Sequence, residues 1–181
     1  MNWLTGGTQG EAKKLIAMLA DSTKRDTAAK ELIKLGAETV PPLIVALQTQ
    51  DLSLLLHYQQ ILARIPSATP ALTKALTTAH PLVRGRVAEI FGVSKDRSAI
   101  PVLLDALKGE YFTVRSRAAL ALGNIGEPKA VDALIHALFI EGQGASLYAE
   151  ASYALYLMGD SAVELLITSM KKENAGLNQR A

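Results

Sequence analysis

Apolar residues recur at intervals of three and four along nearly the whole chain, and no segment carries the alternation of two that a half-buried strand requires. Ala130, Val131, Leu134, Ile135 and Leu138 form one such stripe, and Val114, Ala118, Leu122 and Ile125 form another. Each stripe is too short and too one-sided to hold a helix alone in water. The spacing predicts helices in pairs. First helices are expected over residues 9–20, 39–49, 68–78, 98–109, 128–140 and 160–172, and second helices over 23–35, 52–65, 82–93, 112–125 and 146–158. The punctuation agrees: Gly36, Gly126 and Gly159 stand at expected helix ends, where a left-handed residue is easiest to place. Pro41, Pro70 and Pro101 fall in the first turn of the helix that follows, where a missing N–H costs nothing. Thr8-Gln9-Gly10-Glu11 has the spacing of a capping box and sets the expected start of the first helix.

The pairs are copies of one unit. Val83 to Leu107 lies over Val114 to Leu138 at a constant shift of 31 without a gap, matching Val83 with Val114, Arg84 with Arg115, Gly92 with Gly123 and Leu103 with Leu134. Val40-Pro41-Pro42-Leu43 matches Ile100-Pro101-Val102-Leu103 at a shift of 60, and Ala151 to Gly159 repeats Ala118 to Gly126 at a shift of 33. A unit of about 30 residues used about five times cannot bury its apolar stripe alone but can by stacking. The expected fold is therefore all-α, a right-handed α-solenoid of about five helix pairs plus a C-terminal helix. It forms one repeat domain over 1–181, with units at about 9–36, 37–66, 67–95, 96–126 and 127–159 and a terminal helix at 160–172. Val163, Leu166, Ile167 and Met170 of that helix fall in core columns with no second helix after them. It is expected either to cap the stack or to meet a partner, including a second copy of the chain.

Composition narrows this picture. Half of the 181 residues are apolar, drawn from Ala and Leu with few aromatics, which favours helix over sheet. The longest apolar stretches, Val40 to Leu47 and Ala133 to Ile140, fall short of a membrane span. The N-terminus lacks the basic start and apolar core of a secretory signal. There is no Cys, which removes thiolate chemistry and fits a reducing compartment, so a cytoplasmic location is expected. The formal charge is only +2, yet it is uneven: Leu52 to Gly109 holds seven bases against three acids, and Glu141 to Met170 holds four acids and no base.

No constellation for catalysis or metal binding emerges. His57, His80 and His136 occupy three different environments, without a His-x-x-x-His or His-Glu pair, so neither a metal nor a cofactor is expected. Gly142-Gln143-Gly144 occupies the one lengthened loop but follows no strand and precedes no Lys-Ser or Lys-Thr, so it reads as a flexible tip. Glu89 and Glu150 occur singly in their units and read as solvated.

The unit resembles a known family. Val-Arg followed by Ala-Ala-x-Ala-Leu-Gly-x-Ile-Gly at 114–126, together with the Leu103 to Leu107 helix, is similar to the short HEAT-like repeat of the phycobilisome lyase type. The Val-Arg signature stands at Val83-Arg84 and Val114-Arg115 and is replaced at Leu54-Leu55 and Leu147-Tyr148. Such repeats occur in bilin lyases, an iron-dependent hydroxylase, DNA glycosylases and plain scaffolds, so the resemblance bears on fold more than on function. The hydroxylase's paired His-Glu motifs are not found here.

The resemblance implies that second helices line a concave groove. Their outward columns are then Thr27, His57, Arg86, Arg117 and Glu150; Lys30, Gln60, Glu89, Leu120 and Tyr153; and Lys34, Arg64, Val93, Asn124 and Leu157. Leu120, Tyr153 and Leu157 place apolar groups where other units hold Lys, Gln and Glu, and Tyr148 and Tyr156 either border this patch or fill core. The expected function is a non-catalytic protein–protein interaction scaffold that binds a macromolecular partner through His57, Arg64, Arg86, Arg117, Leu120, Tyr153 and Leu157. Two other readings stay open. One is a bilin lyase subunit or related chromophore-handling factor, implied by the resemblance alone. The other is nucleic-acid binding through Lys30, Lys34, Arg64, Arg86 and Arg117, disfavoured because that stretch lacks stacking aromatics.

Overall fold

A computed structural model describes residues 4–139, 148–160 and 162–168. The Gly142-Gln143-Gly144 loop and Met170 lie outside them. The α-helices are α1 (Leu4–Met18), α2 (Arg25–Leu35), α3 (Val40–Ala46), α4 (Leu52–Ala63), α5 (Thr69–Thr78), α6 (Pro81–Ser94), α7 (Ile100–Leu107), α8 (Phe112–Ile125), α9 (Val131–Phe139) and α10 (Tyr148–Met158). Residues 162–168 are helical as well, and no strand occurs among the described residues. Odd-numbered helices are the first of each pair and even-numbered helices the second. A single 3-10 turn precedes each of α3, α5, α7 and α9, so these helices are shorter than the periodicity suggests.

The punctuation follows from local backbone physics. Gly36, Gly126 and Gly159 have φ of 63°, 71° and 59°, the left-handed region that only glycine enters freely. Lys95 takes the same role after α6 with φ 52°. The expected start of α1 is corrected: the helix already runs from Leu4, so Thr8 lies inside it rather than at its head. The spacing of Thr8 and Glu11 marks a helix start only when a non-helical residue stands at its head.

One core runs through the stack. Leu32, Leu43, Leu47, Leu76, Leu103, Leu122 and Leu134 are fully or almost fully buried, with the small Ala28, Ala88, Ala118, Ala119, Ala151 and Ala154 between them. The two layers differ in spacing. Second helices press closely on one another, above all α6 on α8 and α8 on α10, whereas α1, α3, α5 and α7 meet their neighbours more sparsely. The cause is the match of glycine with alanine. A Cβ on Gly92 would stand 3.0 Å from the Ala121 Cα, and one on Gly123 would stand 2.6 Å from the Ala154 Cα. The second-helix layer is thereby tightest from α6 to α10.

The C-terminal edge departs from expectation. Ala162 is buried and Leu165 and Leu166 are partly so, but Val163 is 51% and Ile167 47% exposed. The corresponding Val131 of α9 is buried. Val163 and Ile167 belong to core columns by sequence, yet no further pair stands among the described residues to close over them.

The signature arginines close the first helices. The last carbonyls of a helix have no partner within it. Arg25 Nε donates to Leu19 O at 2.8 Å, Arg84 Nε to Leu76 O at 2.7 Å, and Arg115 Nη1 to Gly109 O at 3.0 Å and Glu110 O at 2.7 Å. Arg84 thus ties its second helix to the last turn of its own first helix, and Arg25 and Arg115 tie theirs to the turn that follows the first helix. Arg84 also lies over the Tyr111 ring and Arg115 over Phe112, both at 5.8 Å.

Four variants test this packing. Leu134→Ala should lower unfolding free energy by about 2–5 kcal/mol, the range for emptying a filled core site. Gly123→Ala should destabilise despite the ~1 kcal/mol gain in helix propensity, because overpacking costs about 1–3 kcal/mol and the obstacle is backbone. Gly10→Ala, whose Cβ meets nothing within 4 Å, should instead stabilise; urea titrations of the three variants check the signs. Arg115 is 5% exposed, and Arg115→Met should cost about 2 kcal/mol by orphaning two carbonyls, measured in the same way.

Candidate functional site

The second helices present the surface on which the expected site residues stand, and the structure divides those residues into three groups. His57 is half-buried and turned back on its own helix, with Nδ1 2.6 Å from Ser53 O. Arg64 is exposed at the end of α4. Arg86 is not a free groove cation: its Nη1 donates to Leu47 O and, at 2.8 Å, to Thr49 O. This placement has a cause in the repeat. Unit two has Leu54-Leu55 where its neighbours carry Arg25 and Arg84, so α3 lacks a closing arginine of its own. Arg86 reaches back from the next unit and supplies it.

Arg117 is likewise engaged. Its Nη1 stands 2.5 Å from Glu89 Oε1, with side chains 45% and 28% exposed. The other carboxylate oxygen, Glu89 Oε2, accepts from Gln59 Nε2 at 2.6 Å, and Gln59 also donates to Arg86 O at 3.4 Å. Glu89 is therefore no solvated singleton; it joins α4, α6 and α8 in a polar row Gln59, Glu89, Arg117. Ser116 Oγ donates to Glu150 Oε1 at 3.2 Å and extends the pattern to α10. Lys34 pairs with Glu31 at 3.6 Å. Of the bases Lys30, Lys34, Arg64, Arg86 and Arg117, Lys34, Arg86 and Arg117 are thus engaged within the protein, while Lys30 and Arg64 are exposed.

The apolar group stands out from the surface at one end. Tyr153 is 53%, Tyr156 77% and Leu157 37% exposed on α10, while Leu120 on α8 is half-buried. Tyr153 and Tyr156 stack on each other, ring centroids 6.1 Å apart and 23° from parallel. Tyr156 occupies the column of Gly92 and Gly123, the position through which each earlier second helix receives the next. A tyrosine there cannot accept another helix at glycine distance.

Sequence reasoning missed a second feature. The N-terminal halves of α4, α6 and α8 line an open recess of about 360 Å³, in which Leu52, Leu55, Leu56 and Leu82 stand beside Gln59, Arg86, Glu89, Thr113 and Arg117. Leu52 and Leu56 are 70% and 57% exposed. Its origin lies in the α4–α6 spacing. The columns that hold Ala88 and Ala119 in later units hold Gln59 in α4, and the Gly92–Ala121 contact becomes Ala63 and Ile90. Bulkier groups hold α4 farther from α6 than α6 lies from α8. The readable signal was a leucine, Leu56, in the column of Gly85 and Ser116.

Among the described residues, no group of three His, Asp or Glu is placed to hold a metal ion, and no helix is long and apolar enough to cross a membrane. No curated protein matches the chain. Residues 69–141, from α5 through α9, match the family model of HEAT repeats, which supports a HEAT-repeat assignment for the chain.

Proposed function

We propose that the protein is a non-catalytic scaffold that binds a protein partner along its second-helix face, within a single cytoplasmic HEAT-like repeat domain. HEAT repeats commonly serve as protein-interaction scaffolds, and stacked repeats use such extended faces for recognition. The observation that carries the reading is the stacked Tyr153 and Tyr156 pair, open to solvent beside Leu157. Large aromatic side chains held rigid on a helix and left uncovered are the groups that most often anchor a protein interface. Leu120 and Arg117 on the neighbouring α8 and Arg64 at the end of α4 continue the face away from this anchor, whereas His57 and Arg86 serve chiefly to hold the fold. The exposed Val163 and Ile167 belong to the same proposal as the edge where a second copy would dock.

A tagged parent and a Tyr153→Ala, Tyr156→Ala variant should be compared as baits in a native lysate. The parent should retain a partner that the variant loses, with affinity reduced by about 2 kcal/mol or more once the pair is reconstituted. The melting temperature should move by no more than a few degrees, since both tyrosines lie off the core. Equal retention by both baits would overturn the assignment of this face. For the C-terminal edge, light scattering should show self-association that Ile167→Glu abolishes, and a strict monomer removes that contact.

A further inference from the structure

We propose that the recess between α4, α6 and α8 seats a partner segment that presents a large apolar side chain beside a carboxylate, as an acidic amphipathic helix does. The inference rests on the protein-binding reading above and names the chemistry of the ligand. The apolar half of the argument is the rim. Leu52 and Leu56 stand one turn apart on α4, more than half exposed, and face the same opening as the half-buried Leu82. A space of about 360 Å³ sits at the low end of the roughly 300–1,000 Å³ typical of small-molecule pockets. It is open on the rim side, which suits one or two side chains of a larger partner better than a molecule enclosed whole.

The charged groups of the same recess supply the preference for a carboxylate. Both oxygens of Glu89, the acid in the recess, are already engaged, by Arg117 and by Gln59. The bases are not used up to the same extent. Arg86 spends one of its nitrogens on two backbone carbonyls, which satisfies donors without cancelling charge, and Arg117 spends one on Glu89. Guanidinium N–H groups and the exposed Thr113 hydroxyl are left over in a recess holding two positive charges and one negative. Asp51, at the start of α4, is turned to its own helix, accepting from Ser53 N at 2.8 Å and Leu54 N at 3.1 Å. A surplus of donors beside exposed leucines selects an acceptor that is negative and adjoins an apolar group.

A displayed library of random 12-residue peptides, panned on the immobilised full chain, provides the probe. Enriched peptides are then synthesised and titrated by fluorescence polarisation against the parent, Leu56→Glu, Arg117→Gln and Tyr153→Ala, with thermal melts showing that each variant is folded. Enriched sequences should join Leu, Ile or Phe to Asp or Glu. Leu56→Glu should raise Kd by at least about tenfold, as expected on losing an anchor contact. Arg117→Gln, which also unmasks Glu89, should raise Kd by about threefold or more and flatten its salt dependence. Tyr153→Ala should change it less than twofold. Enrichment of basic or purely apolar peptides, or of none, would overturn the proposal. Peptides lost by Tyr153→Ala but indifferent to Leu56→Glu would also remove the recess, while leaving the second-helix face as the binding surface.

Discussion

Close approach of neighbouring second helices governs most of what is distinctive in this molecule. Two helices can pack backbone to backbone only where no side chain intervenes, and Gly92 against Ala121 and Gly123 against Ala154 provide that condition. Among the described residues first helices have no such pairing, and they meet one another more sparsely. The same constraint decides where a recess opens. Between α4 and α6 the matching columns hold Ala63, Ile90 and Gln59, the helices stand apart, and polar and apolar groups line the gap. It also decides how the series ends: Tyr156 fills the glycine column of α10 and remains open to solvent.

Arginine plays two roles that look identical along the chain. Arg84 and Arg115 close the first helix of their own unit, and the bonds from a charged donor to otherwise orphaned carbonyls make each pair a rigid block. Arg86 and Arg117 stand two residues further along, on another side of the helix, where a solvated recognition surface was the natural expectation. Arg86 nevertheless closes the helix of unit two, whose own signature is Leu54-Leu55, and Arg117 completes the row with Glu89 and Gln59. Loss of a capping arginine in one unit is thereby compensated by its neighbour. Adjacent units are coupled through polar contacts as well as through the shared core.

These features separate two regions of the second-helix face. The middle is a braced polar row with an apolar rim, and the C-terminal end is an uncovered aromatic pair. A partner laid along the face would meet the recess first on α4 and the tyrosines last on α10, with Leu120 between them. The charge gradient of the chain, basic in the middle and acidic toward Glu150, Asp160 and Glu164, gives such a partner a preferred direction.

The sequence by itself determined the class of fold and most of the core. A repeated period of three and four, glycines at helix ends and prolines in first turns are local signals, and burial of Leu103, Leu134 and Ala118 follows from their columns once the register is known. The exposed Tyr153 and Leu157 were legible for the same reason, as apolar residues in polar columns. What only the tertiary structure decided is which outward groups are free. Arg86 reaches 37 residues back in the chain to Thr49, and Gln59 reaches 30 forward to Glu89. Val163 is exposed although its column is buried in the unit before. Each outcome depends on what the neighbouring unit offers at that height in the stack, and a side chain's partners across units are set by helix spacing, a property that no single repeat contains.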